Sequence, residues 1–430
     1  MPIKYTLVML SSSPEYTERL HKPFKPPQVT LKQIHDAVPK HLLKKNPWLS
    51  TYYVVRDVAL CIGMFVFASY IPEMSQAILK YTGISAQCEP IVRTGLWVQY
   101  WWWQGLVFAG FFCIAHELGH HALYDNWYAN NIPAFLMHTF IMAPFFAWKA
   151  SHNAHHKTVG SLERDENYIP YTRSQMKLPP PDRATRADYA EILEETPIYT
   201  AVMMFVMQAF GWWLYLGHNA MGSPRHPAGT SHLNPYSTIF TKEQRRGIII
   251  SDVALISMGT LLYYYGSHYG WTKFIAMWLI PDIICNHWIV LCTYLHHSDP
   301  TLPHYRREEW SFLRGAAATV DRPIMGWMGR FFLHNVSHDH VAHHFFSQVP
   351  FYNMEEVTQA IRTVLKDDYN YDSTNAWYAL YRSFTQCVFI EDEGDIVFYK
   401  TVTGEAQREL AADYKPKDPT VPNTPPSKEI

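Results

Sequence analysis

Four apolar runs constrain the fold of this chain most strongly. They cover residues 53–71, 95–115, 247–265 and 271–295. Each is close to the roughly 20 residues that an α-helix needs to cross the hydrocarbon core of a bilayer. The sequence therefore predicts an all-α, polytopic membrane bundle with about four spanning helices, supplemented by helices that lie in the interface.

These runs pair into two hairpins, so each pair returns the chain to the side of the membrane on which it began. A lysine excess ahead of residue 53 predicts that this side faces the cytoplasm. Two further apolar runs, 132–148 and 197–216, are shorter or continue into polar sequence. They span the membrane or lie in its interface, and the sequence leaves both possibilities open.

The composition argues against several functional classes. A net charge of −2 gives no electrostatic reason to expect nucleic-acid binding. The 6 cysteines are scattered without a Cys-x-x-Cys pair, so neither a disulfide framework nor a thiolate metal site is expected. Aromatic residues make up 15% of the chain, which is typical of a membrane interface or of a core that holds an apolar ligand.

Three histidine clusters carry the chemistry that the sequence predicts. They lie at 116–121, 152–156 and 340–344, the first two directly after apolar runs and the third beyond the second hairpin. We expect the three rings of each cluster to share one face of a helix. The candidate ligands are His116, His120, His121, His152, His155, His156, His340, His343 and His344.

This quantity of imidazole predicts a site for two metal ions. Neutral imidazole is the commonest metal ligand in proteins and suits zinc, copper, iron and nickel. Three clusters supply more imidazole than one tetrahedral zinc ion uses. Because zinc has no redox chemistry and iron can activate dioxygen, iron is the favoured metal for an enzyme beside lipid.

Two other functions fit parts of the pattern. The segment from His116 to His120 matches the His-Glu-x-x-His motif of zinc proteases, in which Glu117 is the general base. A protease, however, leaves most of the other two clusters unused. A histidine-rich metal transporter needs ionisable residues along a pathway within its spans, whereas these histidines lie past the ends of the apolar runs.

Further motifs accompany the clusters. The sequence GSLERDE at 160–166 follows the second cluster, and residues 294–322 contain YLHH, PHY, LRGA and TVDR. Together with the clusters, these segments resemble the membrane fatty acyl desaturase family, most closely its microsomal oleate Δ12 desaturase subfamily. The resemblance extends from about residue 26 to about residue 395, and its motifs are specific in combination.

The resemblance implies a di-iron centre on the cytosolic side of the endoplasmic reticulum membrane, with dioxygen as co-substrate. Electrons then come from cytochrome b5 and its reductase, fed by NADH. The substrate is a fatty acyl lipid, linked either to a phospholipid or to CoA. The histidines of the three clusters carry over as ligands, with one of His120 and His121 in a supporting role, and His297 matches a further family ligand.

Other residues are expected to support these ligands. Glu117, Asp165 and Glu166 are candidates either to orient ligand rings by accepting their N–H groups or to cap helices. A narrow apolar tunnel has to place the acyl chain against the metals. The aromatic segments 101–103 and 145–146 either line that tunnel or face lipid and core.

The expected reaction introduces a cis double bond near Δ12 of an oleoyl chain. Leu118, Asn153, Ala154, His296 and His338 depart from the subfamily pattern, but none of them removes a ligand. They leave open a divergent outcome on the same scaffold, namely hydroxylation, epoxidation or triple-bond formation. These reactions share the first hydrogen abstraction with desaturation.

The chain is predicted to divide into four regions. The C-terminal cap is expected to contain a helix over 353–365, capped by Asn353, and a hairpin with Gly394 in its turn. The tail beyond Lys415 is rich in proline and expected to be disordered. The regions are a cytosolic N-terminal segment at 1–50, a membrane domain with the three clusters at 51–350, a cytosolic cap at 351–400 and a C-terminal region at 401–430.

Overall fold

A computed structural model describes residues 10–415 and confirms a mainly helical membrane fold. The predicted disorder beyond Lys415 falls outside the described residues. The helices are α1 Pro14–His21, α2 Leu31–Ala37, α3 Pro47–Ser69, α4 Ile71–Thr82, α5 Glu89–Gly119, α6 Trp127–Phe140, α7 Phe145–Thr158, α8 Arg186–Leu193, α9 Pro197–His218, α10 Arg245–Tyr269, α11 Trp271–Phe274, α12 Ile280–His297, α13 Phe312–Ala317, α14 Trp327–Phe332, α15 His340–Phe345, α16 Phe351–Leu365 and α17 Ala376–Gln386, and the strands are β1 His304–Tyr305 and β2 Ile396–Val397.

Four helical stretches in the described part are long and apolar enough to cross a membrane. They are Pro47–Ser69, Pro197–His218, Arg245–Tyr269 and Trp271–His297, the last combining α11, a π-helical turn and α12. The predicted number of about four is therefore confirmed, but the membership differs. The run 95–115 lies in α5, which does not pass the same hydropathy test, because its tryptophans and glutamines dilute the apolar residues.

The two ambiguous runs form different structures. The run 132–148 is not one straight helix, because α6 and α7 meet at an angle of 110°. This bend gives either a broken span or a re-entrant segment. The run 197–216 forms a single helix, α9, which begins after the capping residue Thr196 and is long enough to span.

Helix α5 forms the centre of the bundle. Every residue from Gln104 to Gly119 is buried, and α5 packs against α3, α6 and α12. Gly105 allows the close approach of α5 and α12, since a Cβ atom there would lie 2.4 Å from Cγ2 of Ile284. The tryptophan-rich run is thus an internal helix, and the lipid-facing surface falls mainly on α3, α9 and α10, few of whose residues are buried.

The third histidine cluster lies on a short helix held by both ends of the chain. Ile34 and Leu42 from the N-terminal segment share one hydrophobic core with Val341 of α15 and Ile361 of α16. Asn353 donates a hydrogen bond to the carbonyl of Leu42 over 2.7 Å. Residues 34–42 and 351–365, which belong to the predicted segments 1–50 and 351–400, therefore pack together beside the cluster.

Two local predictions in the C-terminal cap need correction. Helix α16 begins at Phe351 after Pro350, so Asn353 lies inside the helix and does not cap it. The predicted hairpin is reduced to a single antiparallel bridge between Phe389 and Lys400. The strand partner of Ile396–Val397 is His304–Tyr305, with His304 opposite Val397. The sequence contains no local signal for that distant pairing.

Buried ion pairs tie the loop after His297 to both ends of the chain. Arg322 contacts Asp299 over 2.7 Å and Asp372 over 2.5 Å, and all three side chains are at most 1% exposed. Arg382 contacts Asp372 over 2.5 Å, and Arg19 lies 3.5 Å from Asp299. Burial alone would raise the pKa of the Asp372 carboxyl, but the Arg322 and Arg382 guanidiniums hold it below its usual value.

Candidate metal centre

Two groups of histidine rings come together where the three clusters meet. In the first group, one ring nitrogen of each member lies within 4.8 Å of those of the others. The Nε2 atom of His156 is 3.1 Å from that of His152 and 3.2 Å from that of His343. The five members lie on α5 and its C-cap, on α7 and on α15, and they are His116, His120, His152, His156 and His343.

The second group lies directly beside the first. Its members His155, His297 and His344 meet the same distance criterion. The Nε2 atom of His340 is 3.1 Å from that of His297 and 3.1 Å from that of His344, which adds a fourth ring. The rings of His156 and His344 stack with centroids 4.3 Å apart, so the two groups are in contact.

The structure thus brings together nine of the ten predicted histidines and leaves out His121. The backbone of His121 has a φ of 59°, because α5 ends at Gly119 and His120 is its C-cap. In addition, His121 is the fifth residue after His116, so on a continuing helix its side chain would point about 140° away from that of His116. The His121 ring contacts Lys149 Nζ over 3.1 Å instead, outside both groups.

Two of the three candidate carboxylates, Asp165 and Glu117, contact ligand rings. Asp165 accepts a hydrogen bond from Nδ1 of His155 over 2.7 Å. Glu117 lies 3.1 Å from Nδ1 of His116 and 3.7 Å from Nδ1 of His343. Of the two roles predicted for Glu166, the orienting one does not apply, because its carboxylate contacts Arg225 and His226 in the loop after α9 and no ring of the two groups.

Burial keeps the imidazoles of the third cluster neutral. It lowers the pKa of His343 to about 3, and the pKa values of His340 and His344 fall well below the ordinary value for the same reason. A neutral imidazole offers a lone pair to a metal, whereas a protonated one does not. The cluster therefore presents ligands in the required protonation state.

The arrangement fits bound metal ions. Two nitrogens that each lie about 2.1 Å from one ion, at roughly a right angle, are about 3.0 Å apart. The observed Nε2–Nε2 distances of 3.1 and 3.2 Å match that spacing. The buried Nε2 atom of His120 has no hydrogen-bond partner among residues 10–415. A nitrogen-only set of this size can hold two ions.

An apolar cavity of about 360 Å³ passes both groups of rings. His116 and His152 of the first group line it, as do His155 and His297 of the second. The predicted aromatic segments 101–103 and 145–146 do not contribute. The aromatic residues that line the cavity are Phe112, Trp148, Tyr168, Trp212, Tyr215, Trp288, Tyr294 and Phe384.

His296 is a further neighbour of the site, and in the sequence it stands out only as a departure from the subfamily pattern. Its ring is buried and stacks on His340 with centroids 4.0 Å apart. It also lines the cavity, and its Nε2 atom has no hydrogen-bond partner in the described part of the chain. Its position in the sequence, directly before the predicted ligand His297, is the signal that could have placed it at the site.

The chain belongs to the fatty acid desaturase family and is therefore an oxidoreductase. The family model described as fatty acid desaturase matches residues 95–375. A second model, a domain of unknown function named DUF3474, matches residues 10–66.

Characterised relatives match over most of the chain and support the resemblance to the Δ12 subfamily. The chain is 35% identical to a Δ(12) fatty acid desaturase of Mortierella isabellina, covering 87% of this chain and 91% of the relative. It is 34% identical to the Δ(12)-fatty-acid desaturase of Arabidopsis thaliana, covering 89% and 93%. It is also 35% identical to an oleate hydroxylase of Claviceps purpurea, covering 88% and 82%. The chain is thus a fatty acid desaturase or hydroxylase.

Proposed function

We propose that this protein introduces a cis double bond at Δ12 of a membrane-bound oleoyl chain. The observation that carries the proposal is the apolar cavity that runs directly past both groups of histidine rings. A saturated methylene carries no group that an enzyme can polarise, so the substrate has to be positioned by shape. An apolar cavity beside redox-active metals meets that need.

The nine histidines of the two groups are proposed to hold two iron ions. When bound, this centre supplies the oxidising power for removing hydrogen from an unactivated C–H bond, using dioxygen. The overall reaction takes two hydrogens from adjacent carbons and reduces O2 to two waters with two electrons and two protons. His121 is left out of the proposed ligand set, since its ring faces Lys149.

The protein's own residues position both reactants. Asp165 fixes the orientation of the His155 ring, and Glu117 fixes that of the His116 ring. Each carboxylate acts on the Nδ1 atom of the ring. Trp148 stacks on His152 with ring centroids 4.7 Å apart and also lines the cavity, so one side chain contacts both ligand and substrate space. Buried aromatic walls keep water away from the reacting carbons.

A hydroxylase is the alternative that one comparison supports equally. The hydroxylase relative matches this chain at the same 35% identity as the Mortierella desaturase. Desaturation and hydroxylation share the first hydrogen removal, and they differ in whether a second hydrogen leaves or oxygen is transferred. Overall similarity therefore does not separate the two outcomes.

The electron donor and location are proposed from the family resemblance. Two electrons per turnover would come from cytochrome b5 and its reductase, and the protein would lie in the endoplasmic reticulum membrane. Its histidine groups would face the cytosol, where that donor operates. The name of one relative, an endoplasmic reticulum ω-6 desaturase of Brassica juncea at 34% identity, supports this location.

Expression in a yeast that makes only monounsaturated fatty acids tests the proposal. Gas chromatography with mass spectrometry of total lipids is expected to reveal linoleate in cells that carry the gene. The His297→Ala variant serves as the inactive control. A hydroxylated 18-carbon product would support the alternative, and an unchanged profile at normal protein level would contradict both.

A further inference from the structure

Helix α17 of the C-terminal cap carries an exposed face that is entirely aromatic. Within Ala376–Gln386 the exposed residues are Trp377 and Tyr381, at 55% and 53%. They lie four residues apart and therefore share one side of the helix. Arg382, the only charged residue of α17, is buried and bonded to Asp372, away from this face. Tryptophan and tyrosine on an uncharged helix face are typical of a membrane interface.

The contacts of α17 with the spanning helix α12 give its depth. Trp377 stacks on His287 of α12 with ring centroids 5.0 Å apart. His287 lies ten residues before His297, the last residue of α12, which corresponds to about 15 Å of helix. Arg382 is already level with the end of α12, because its guanidinium lies 3.7 Å from Asp299. Helix α17 thus begins well below the level of the metal ligands and rises towards it.

This depth lies inside the membrane. The span Trp271–His297 has 27 residues, and its length of about 40 Å exceeds the roughly 30 Å of the hydrocarbon core. A span centred on the core extends about 5 Å beyond it at each end, so His287 lies about 10 Å below the surface of the core. The ring of Trp377 shares that level, and its face of α17 is therefore surrounded by lipid.

The same helix borders the mouth of the apolar cavity. Phe384 lines the cavity and lies one turn after Tyr381. Two exposed residues, Leu214 of α9 and Thr293 of α12, line it as well. Since α9 and α12 are both long enough to span, the cavity opens sideways between them into the space of the bilayer, and α17 flanks that opening.

We infer that α17 is embedded in the membrane leaflet on the histidine side and that bilayer lipids contact its Trp377–Tyr381 face beside the mouth of the cavity. The partner of this surface is the acyl region of a membrane lipid, which reaches the cavity without crossing water. A segment of the cap predicted to be cytosolic is thereby assigned to the membrane. The entry role of α17 rests on the proposed function, whereas its embedding does not.

Quenching by spin-labelled lipid tests the embedding. The full-length protein carries a fluorophore at Tyr381→Cys in phosphatidylcholine vesicles with doxyl-labelled lipid, after Cys88→Ser removes the one cysteine that is not buried among residues 10–415. Quenching is expected to match that of a label at Ile256→Cys on the lipid-facing helix α10. A label at the exposed Glu393→Cys of the same cap is the control, with quenching about threefold weaker outside the bilayer. Equal quenching at positions 381 and 393 overturns the inference.

A matched pair of substitutions tests the role of this face beside the cavity. Tyr381→Asp places a carboxylate in lipid, whereas Tyr171→Asp makes the same change at a tyrosine that is 51% exposed in the polar segment after the second cluster. Since a charge is costly only in lipid, the amount of product at matched protein level is expected to fall about tenfold for Tyr381→Asp and to stay within about twofold for Tyr171→Asp. Iron content, measured by elemental analysis, is expected to stay at the wild-type level in both variants.

The possible outcomes separate this inference from the proposed function. Product levels within twofold of the wild type in both variants, or an equal fall in both, overturn the role of α17 at the mouth. A loss of iron in Tyr381→Asp also overturns it, because the effect then arises at the metal centre. If Tyr381→Asp yields no protein, the quenching at position 381 decides alone. A wild-type enzyme without any unsaturated or hydroxylated product refutes the proposed function, and the quenching measurement still tests the embedding.

Discussion

The buried carboxylate behind His155 offers a quantitative test of the metal centre. Asp165 is 3% exposed and accepts three hydrogen bonds, from His155 Nδ1 over 2.7 Å, from Gly160 N over 3.1 Å and from Asn167 N over 3.1 Å. The Asp165→Asn side chain has the same shape but no charge. It also turns an N–H₂ group towards Gly160 N or His155, so at least one bond is lost.

The size of the effect follows from the loss of a charge-assisted hydrogen bond. Such a bond contributes about 1.5–3 kcal/mol, and about 1.4 kcal/mol corresponds to a factor of ten. We expect iron affinity to fall about 10- to 100-fold, the range usual for residues that orient a ligand. Equilibrium dialysis against buffered Fe(II), followed by elemental analysis, measures the affinity, and linoleate content gives a second readout.

Glu163→Gln provides the matched control for this variant. Glu163 lies in the same loop, but its side chain is exposed and contacts no ring of the two groups. We expect iron affinity and linoleate content within twofold of the wild type. If Asp165→Asn behaves like Glu163→Gln in both measurements, the assigned role of the carboxylate is refuted.

Two further predictions concern the ligand set and the cap. His297→Ala is expected to abolish linoleate formation, whereas His121→Ala retains at least half of it, because the His121 ring lies outside both groups. Lipid analysis at matched protein level measures both variants. An equal loss of linoleate in the two variants would restore His121 to the ligand set. Asp372→Asn removes a carboxylate that two buried guanidiniums contact, and it is expected to lower the free energy of unfolding by about 3–5 kcal/mol. The melting temperature in detergent should fall by several degrees. The control variant Asp36→Asn, at an exposed ion pair, should give no measurable change. Since the pKa of Asp372 is lowered on folding, this stabilisation is present above about pH 4 and lost as the pH falls further.

The convergence of the clusters was predictable where the chain is helical. In 152–156 the spacing i, i+3, i+4 places His152, His155 and His156 on one side of α7, and the structure keeps them there. The same holds for the short helix α15. Periodicity within a helix is a local property, so a single sequence is enough to predict it.

The spacing of five residues between His116 and His121 is itself a local signal, because it places the two side chains about 140° apart around a helix. The end of α5 at Gly119 adds to the separation of His121 from the groups. Other features depend on contacts that no local pattern encodes. The pairing of Ile396–Val397 with His304–Tyr305 joins segments about ninety residues apart. The cavity aromatics come from six different parts of the fold, so aromatic-rich runs were a poor guide to them.

The metal content of the purified protein tests the central claim most directly. If imidazoles from three clusters and His297 hold a dinuclear centre, the full-length protein purified in mild detergent binds two iron ions per chain by elemental analysis. His297→Ala should then lower that number. One zinc ion per chain, or two irons that persist unchanged in His297→Ala, would contradict the account.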